Sequence, residues 1–355
     1  MSDRLSRLLA TRPWLLADGA TGTNLFGMGL QPGEAPELWN AEHPERIAAL
    51  CRSFIDAGAD IVLTNTFGGT RYRLKLHNAE DRVAELNTRA ARIARTEADG
   101  CGREVVVAGS IGPTGEILEP LGPLSLTAAR DAFTEQAVAL ARGGADVLWI
   151  ETMSSKEELE AAIAGARATG LPVVGTLSFD TNGRTMMALT PSDLAGIQTS
   201  HGLLACGSNC GTGPSELVAS IMNLATASAP TAVLVAKANC GIPQYVDGAI
   251  QYDGTPELMA AYAALALDAG ARIIGGCCGT TPAHLRAMRA ALEAHAAGPR
   301  PDVEAIEARL GAVSAGARAQ LRGLFDRAAG AAAGAGAHRP TSRRRAPRPA
   351  DAADV

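Results

Sequence analysis

Apolar runs of strand length recur at regular intervals along this chain. Eight can be traced, at residues 14–19, 60–67, 104–112, 146–152, 172–179, 203–211, 232–241 and 272–279. Most are continuously apolar rather than alternating, as in "DVLWIET" at 146–152. Strands that are buried on both faces of a parallel sheet have this pattern. The pattern therefore predicts eight buried, parallel strands.

Amphipathic segments separate these runs. Their apolar residues recur at i, i+3, i+4 and i+7, which is typical of helices with one buried face; the clearest lie at 44–59, 127–145, 156–170 and 255–271. Several begin with Thr or Ser before Pro or Glu, as helix N-caps do. Several end in "AGA" or "GGA", a helix C-terminal pattern, directly before the next run. Strands and helices thus alternate.

Alternation of this kind occurs in open doubly wound sheets and in closed barrels. Eight strand–helix units match the roughly 250 residues of a (β/α)8 TIM barrel. The turn after the first strand, "DGATGTN", lacks the G-x-G-x-x-G pattern of a dinucleotide-binding sheet. We therefore expect a TIM barrel over residues 1–298. Residues 299–355 predict a helical extension followed by a disordered tail rich in Ala, Gly and Arg.

Composition excludes two classes of partner. No apolar run approaches the roughly 20 residues of a membrane helix, and Arg12 and Pro13 interrupt the only candidate signal peptide. We therefore expect a cytoplasmic protein without a membrane partner. The net charge is −5, and arginines concentrate beyond Gly298, so the body is acidic and no nucleic-acid partner is expected.

The seven cysteines are distributed unevenly over the predicted fold. Active sites of TIM barrels form at the carboxyl ends of the strands. Cys210, Cys240 and the adjacent pair Cys277 and Cys278 all fall at such ends. The other three, Cys51, Cys101 and Cys206, are expected to be small core residues. Four thiols are thus predicted to converge on one rim.

Converging thiols favour a zinc site, because zinc takes thiolate ligands and a catalytic site keeps one position open. Glycines around "GGCCGT" provide the bend that aims two adjacent thiols at one ion. A vicinal disulfide and a phosphate-binding loop are the alternatives. Lys237, within the seventh run, is either a Schiff-base lysine of an aldolase-like barrel or a lysine that points out of the barrel to an acid. His284, inside the last predicted helix, is expected either to act beside the site or to serve only in packing.

A zinc ion with an open position suits the binding of an external thiol. A free alkyl thiol has a pKa near 8.5, and coordination deprotonates it while it stays nucleophilic. Alkyl transfer to sulfur is the natural reaction. Asp18 and Glu151, at the ends of the first and fourth strands, are placed to hold an ammonium group or to cap their strands.

Six motifs, in order along the chain, resemble those of the homocysteine S-methyltransferases. They are "DGATGTNLF", "TNTFGGTRYRL", "GSIGPTGE", "WIETM", "GSNCGTGP" and "GGCCGTTPAHL". The resemblance covers about residues 14–295 and implies a zinc-dependent barrel that makes methionine. It implies Cys210, Cys277 and Cys278 as zinc ligands, with Cys240 incidental or behind them. It also implies that Asp18 and Glu151 bind the homocysteine amino group, and that Thr66, Ser110 and the backbone from Gly19 to Thr21 seat the substrate.

The motifs "EAPELWN", "RLKLHNA" and "RTMMAL" are most similar to bacterial betaine–homocysteine methyltransferases. Betaine is a quaternary ammonium that binds aromatic faces, which makes Trp39 and Phe67 the expected cage, with Tyr72 and Tyr245 behind them. Thr152 and Gly68 stand where the animal betaine enzymes carry aromatic residues.

S-methylmethionine and dimethylsulfoniopropionate are the alternative donors. The barrel is also related to the first module of cobalamin-dependent methionine synthase, which takes its methyl group from methylcobalamin. That route needs folate and cobalamin domains, and we do not expect them within these 355 residues. The expected partners are homocysteine and a donor, and the sequence leaves open whether the chain forms a homo-oligomer.

Overall fold

Eight parallel strands form a barrel, which confirms the predicted fold class. The structure, a computed structural model, describes residues 3–180, 182–246 and 249–323, without the side chains at 245, 246, 249 and 250. The barrel strands, labelled β1 to β8 in chain order, are Leu15–Leu16, Ile61–Leu63, Val106–Ile111, Val147–Met153, Val173–Leu177, Ala205–Cys210, Leu234–Ala238 and Ala271–Gly276. Each pairs in parallel with its neighbours, and β1 also pairs with β8. A parallel bridge between Ala17 and Ile61 joins β1 to β2 and completes the ring.

The helices of the described residues surround the strands. Helices α1 to α7 are Arg4–Thr11, Gly22–Gly27, Trp39–Glu42, Pro44–Asp56, Arg71–Lys75, Val83–Gly100 and Leu126–Gly143. Helices α8 to α14 are Lys156–Ala166, Pro191–His201, Pro214–Ala227, Pro256–Asp268, Pro282–Ala294, Val303–Leu310 and Ala315–Leu321. Short 3-10 turns span Pro36–Leu38, Glu80–Arg82 and Arg167–Thr169, and an antiparallel hairpin of Pro243–Val246 and Ala249–Tyr252 follows β7.

Local sequence explains where the barrel helices begin. The side chains of Ser125, Ser155, Thr190 and Thr255 each accept a hydrogen bond from a backbone N–H in the first turn of their helix. Proline follows Thr190 and Thr255 directly, where its missing N–H costs nothing. Because these caps determine where each helix begins, they also determine how long the loop is that connects it to the preceding strand.

Helix α1 closes the amino end of the barrel. Its Leu5 and Leu8 are buried against inward-facing strand residues, among them Ile61 and Trp149. The opposite, carboxyl end stays open, and it carries the residues that follow β2, β4, β6 and β8. No described helix combines the length and the hydropathy that crossing a bilayer requires.

Helices α13 and α14 belong to the predicted C-terminal extension. They pack on α10 and α11 and bury Val303, Ile306, Leu310 and Val313. The Ser314 hydroxyl donates to the carboxylate of Glu216 on α10 at 3.1 Å. The disorder predicted for the rest of the tail falls on residues 324–355, which lie outside the described residues.

Truncation after Arg300 is therefore expected to destabilise the barrel. It removes four buried apolar side chains worth about 1.5–3 kcal/mol each and exposes the surfaces of α10 and α11 that they cover, so the unfolding temperature should fall by about 10 °C or more. Truncation after Gly323 keeps both helices and is the matched control. Thermal melting followed by circular dichroism measures both, and coincident melts of the two truncated chains would contradict the prediction.

Candidate active site

Three thiols meet at the open end of the barrel. Cys210 ends β6, and Cys277 and Cys278 follow β8. The Sγ of Cys210 lies 3.3 Å from that of Cys277 and 3.7 Å from that of Cys278. The Cys210 backbone has φ +62°, a left-handed conformation that is uncommon for a residue with a side chain. The turn after β8 is tight as well, because a Cβ on Gly276 would collide with Thr280.

The thiol cluster fits the donor set of a zinc ion. Thiolates at 2.3 Å from a tetrahedral zinc are about 3.8 Å apart, close to the separations seen here. Within the described residues, the group that could hold a metal consists of these three cysteines, with their sulfurs within 4.8 Å of one another. Three protein thiolates leave a fourth position for an external ligand.

Hydrogen bonds distribute charge within the cluster. Hydrogen bonds with Cys277 and Cys278 raise the pKa of Cys210. Hydrogen bonds from Cys210 and Cys277 lower the pKa of Cys278 to about 3. These hydrogen bonds favour the thiolate form of Cys278, which is the form that binds metals.

Asn239, after β7, ties the two thiol-bearing segments together. Its Nδ2 donates to the Gly211 carbonyl at 2.6 Å, and its Oδ1 accepts from the Cys278 N–H at 3.1 Å. The sequence alone assigned Asn239 no role. Side chains that orient metal ligands in this way are a regular part of metal sites.

Cys240 does not join the thiol cluster, although it was predicted to converge with it. Its Sγ donates to the Gly254 carbonyl at 3.3 Å. His284 Nε2 lies 3.2 Å from the same carbonyl, and His284 Nδ1 pairs with Thr281 in the cap of α12. Both side chains contact the loop that follows the hairpin. Because His284 also bonds to Thr281 at the start of α12, it is a helix-capping residue.

A cavity of about 410 Å³ opens above the thiol cluster. All three cysteines line it, together with five of the predicted substrate-binding residues: Gly19, Thr66, Phe67, Ser110 and Glu151. Thr66 Oγ1 donates to the Ser110 carbonyl at 2.7 Å, which joins the ends of β2 and β3. The structure therefore brings most of the predicted site residues together around one cavity.

Glu151 is a buried acid that lines this cavity. Its Oε1 accepts a hydrogen bond from Ser110 Oγ at 2.5 Å. Burial raises the pKa of Glu151 to about 7, against the opposing charge of Lys237. Asn209, at the end of β6, accepts from the Thr152 N–H at 2.9 Å and so holds the turn after Glu151 in place.

Asp18 lies behind the cavity wall, paired with Lys237. The Nζ of Lys237 is 2.6 Å from Asp18 Oδ1, and the Leu63 N–H donates to Asp18 Oδ2 at 2.7 Å. Lys237 was predicted either to form a Schiff base or to point out of the barrel toward an acid. The prediction that its side chain points outward is wrong. The side chain points inward, is 2% exposed and lies 5.8 Å from the centre of the Trp149 ring.

The environment of Lys237 disfavours Schiff-base chemistry. Burial alone lowers its pKa, but the charges of Asp18 and Glu151 outweigh this effect and raise the pKa of Lys237. A Schiff-base lysine must be neutral to attack a carbonyl. Lys237 is instead a fixed cation at the floor of the cavity.

The predicted aromatic cage is only partly assembled. Phe67 lines the cavity and is 39% exposed. Trp39 is buried in the core instead, with the Arg46 guanidinium 4.7 Å from its ring centre, and it does not line the cavity. Tyr72 packs against the core, and the Tyr245 side chain lies outside the described residues.

Other residues occupy the outer wall of the cavity. They come from the segments after β1 and β2, and sequence reasoning assigned them no role: Phe26, Glu37, Arg73 and His77. Glu37 and Arg73 do fall inside motifs that carried the family resemblance, "EAPELWN" and "TNTFGGTRYRL". Their position inside these motifs was the one feature of the sequence that could have marked Glu37 and Arg73 as functional residues.

The fold is that of a TIM barrel, and its thiol cluster is a group of three cysteines that could hold a metal ion. The family model for homocysteine S-methyltransferase matches residues 15–292. The chain belongs to the homocysteine S-methyltransferase family.

Known proteins of the family resemble the chain over most of its length. It is 33% identical to methionine synthase of Mycobacterium tuberculosis over 301 residues, which is 78% of this chain and 24% of that protein. The chain thus spans about a quarter of the length of the curated relatives that it matches. Among solved structures, the oxidised form of the homocysteine methyltransferase MmuM from Escherichia coli has a TM-score of 0.68 at 26% identity, covering 81% of this chain and 99% of that one. The metallated form has the same TM-score at 25% identity and covers 81% and 99% of the two chains.

Proposed function

We propose that this chain transfers a methyl group from a small cationic donor to the thiol of homocysteine, giving methionine, with zinc bound by Cys210, Cys277 and Cys278. The observation that supports it best is the thiol cluster itself, with sulfurs 3.3 and 3.7 Å apart below a cavity of about 410 Å³. Zinc bound there supplies a Lewis acid that keeps an incoming thiol deprotonated and nucleophilic.

The protein groups around the cavity orient the amino-acid substrate. Glu151, positioned by Ser110, accepts the hydrogen bonds of the homocysteine ammonium group. The Lys237–Asp18 pair forms a rigid floor beside it. Asn239 keeps the two thiol-bearing segments in register. Holding sulfur and methyl carbon about 3–3.5 Å apart and in line supplies much of the rate enhancement.

The methyl step needs no general base. With betaine as donor, the sulfur–carbon bond forms as the carbon–nitrogen bond breaks, and the electron pair of the broken bond stays on nitrogen. Dimethylglycine is the second product. Phe67 and Phe26 provide apolar faces for the methyl groups and exclude water from the reacting atoms.

S-methylmethionine is a second candidate donor, and the outer cavity wall favours it. A quaternary ammonium has no N–H and depends on aromatic faces. Among the described residues, the aromatic side chains of Phe26 and Phe67 line the cavity. Trp39, which was expected to complete a cage, lies in the core instead. S-methylmethionine carries a sulfonium, which Glu37 can pair with, and a carboxylate, which Arg73 on the same wall can pair with.

A donor panel tests the proposed function. Zinc-loaded protein is mixed with homocysteine and either betaine, S-methylmethionine, dimethylsulfoniopropionate or methylcobalamin, and methionine is quantified. We expect turnover with betaine or S-methylmethionine. Turnover with methylcobalamin alone would overturn the proposed donor class, and no methionine with any donor would overturn the function.

A further inference from the structure

One buried carboxylate of the cavity lacks a counter-ion. Glu37 lies on the 3-10 turn Pro36–Leu38 and is 6% exposed. Its Oε1 accepts a hydrogen bond from the Gly68 N–H at 2.6 Å, and the carboxylate also bonds to its own backbone N–H. Among the described residues, no lysine, arginine or histidine nitrogen forms an ion pair with it within 4.0 Å. Arg73 and His77 act on Glu37 only over a longer distance.

Other buried acids of this protein are better satisfied. Asp60 pairs with three arginines, the nearest guanidinium nitrogen at 2.7 Å. Asp18 pairs with Lys237, and Glu158 accepts two hydrogen bonds from Thr114. A carboxylate in the position of Glu37 is costly to keep ionised, and burial accordingly raises its pKa. The cavity that Glu37 lines is where a positively charged partner can reach it.

We propose that Glu37 is a specificity-determining residue, which pairs with the positive charge of the methyl donor and restricts the donor subsite to small cationic molecules. The inference rests on the proposed function. The cavity then has one free acid for each cationic group of the reaction: Glu151 for the ammonium of homocysteine and Glu37 for the donor. Phe67 lies next to Gly68, whose N–H holds Glu37, so an apolar face and a charge adjoin at one place.

The chemistry of the methyl step predicts which kinetic constant responds. The donor is cationic before transfer and loses its positive charge as the methyl group leaves. An ion pair with Glu37 is therefore strongest in the ground state, and it weakens toward the transition state. Removing the charge should raise the KM for the donor while kcat is retained or increased.

Matched pairs of ligands isolate the charge. Betaine and 3,3-dimethylbutanoate have the same shape, but only betaine is cationic; S-methylmethionine and 2-amino-5-methylhexanoate form a second such pair. Dissociation constants are measured by calorimetry on zinc-loaded protein, with homoserine in the amino-acid subsite to prevent turnover. We expect the unaltered protein to bind the cationic member of a pair about ten- to a hundredfold more tightly.

The variant Glu37→Gln keeps an oxygen for the Gly68 N–H and removes only the charge. We expect it to lose most of this discrimination, while zinc content stays the same and the melting temperature stays the same or rises. Glu42→Gln, an exposed acid on α3 outside the cavity, is the control and should keep the full ratio.

The possible results separate the two proposals. Equal binding of charged and neutral members by the unaltered protein, or an unchanged ratio in Glu37→Gln, would overturn the role of Glu37 even if methionine is formed. Failure of both pairs to bind would overturn it too. Absence of methyl transfer with every donor overturns the proposed function and leaves the binding ratios to decide on Glu37 separately.

Discussion

Replacing Cys278 with serine is expected to remove the metal and to abolish methyl transfer. The hydroxyl of serine stays protonated near neutral pH and is a poor zinc ligand, so a three-thiolate site would be left with two thiolates. We expect zinc to fall from about one ion per chain to a small fraction. Methionine formation should fall by about a thousandfold or more, because the Lewis acid supplies several kcal/mol. Metal analysis after gel filtration and a methionine assay measure both quantities.

Cys240→Ser is the matched control for this prediction. Cys240 is buried near the site, but its Sγ bonds to the Gly254 carbonyl rather than to the thiol cluster. A serine hydroxyl can make the same bond. Zinc content and activity should therefore be nearly unchanged in this variant. Retention of metal and full activity by Cys278→Ser, or equal losses in both variants, would show that the thiol cluster is not the metal site.

Reasoning from strand ends located the thiol cluster because the barrel leaves little freedom there. Carboxyl ends of parallel strands share one rim, so Cys210, Cys277 and Cys278 had to be neighbours once their strands were assigned. The same reasoning placed Ser110 and Glu151 together, and they form a hydrogen bond. It could not exclude Cys240, because the direction of a side chain beyond a strand depends on the loop that follows.

The donor wall was harder to predict, since it is built from long loops. Glu37 and Trp39 are two residues apart on a helical segment, where each residue turns the chain by about 100°. They therefore point in nearly opposite directions, and the sequence alone does not say which faces the cavity. The structure places Glu37 there and Trp39 in the core. Lys237 lies two residues after Val235 on β7, so the sequence placed both side chains on one face, and the structure shows that this face lines the inside of the barrel.

Changing Glu151 to glutamine is expected to weaken homocysteine binding and to remove a pH dependence. Glutamine keeps an acceptor for Ser110 but loses the charge that pairs with the ammonium group. The KM for homocysteine should rise by about 10- to 100-fold, with zinc content unchanged. A variant with an unaltered KM would show that the ammonium group binds elsewhere.

The sign of the pH effect follows from the raised pKa of Glu151. Burial brings this pKa to about 7, so the carboxylate that binds the ammonium is present above pH 7 and is lost as the pH falls below it. The kcat/KM for homocysteine should therefore fall about tenfold per pH unit on the acid side. This fall of kcat/KM at low pH is the acid limb of the pH profile, and Glu151→Gln should lack it. In Ser110→Ala, which loses the hydrogen bond that stabilises the carboxylate, the limb should move to higher pH. An acid limb that stays in place in both variants would have to come from another group.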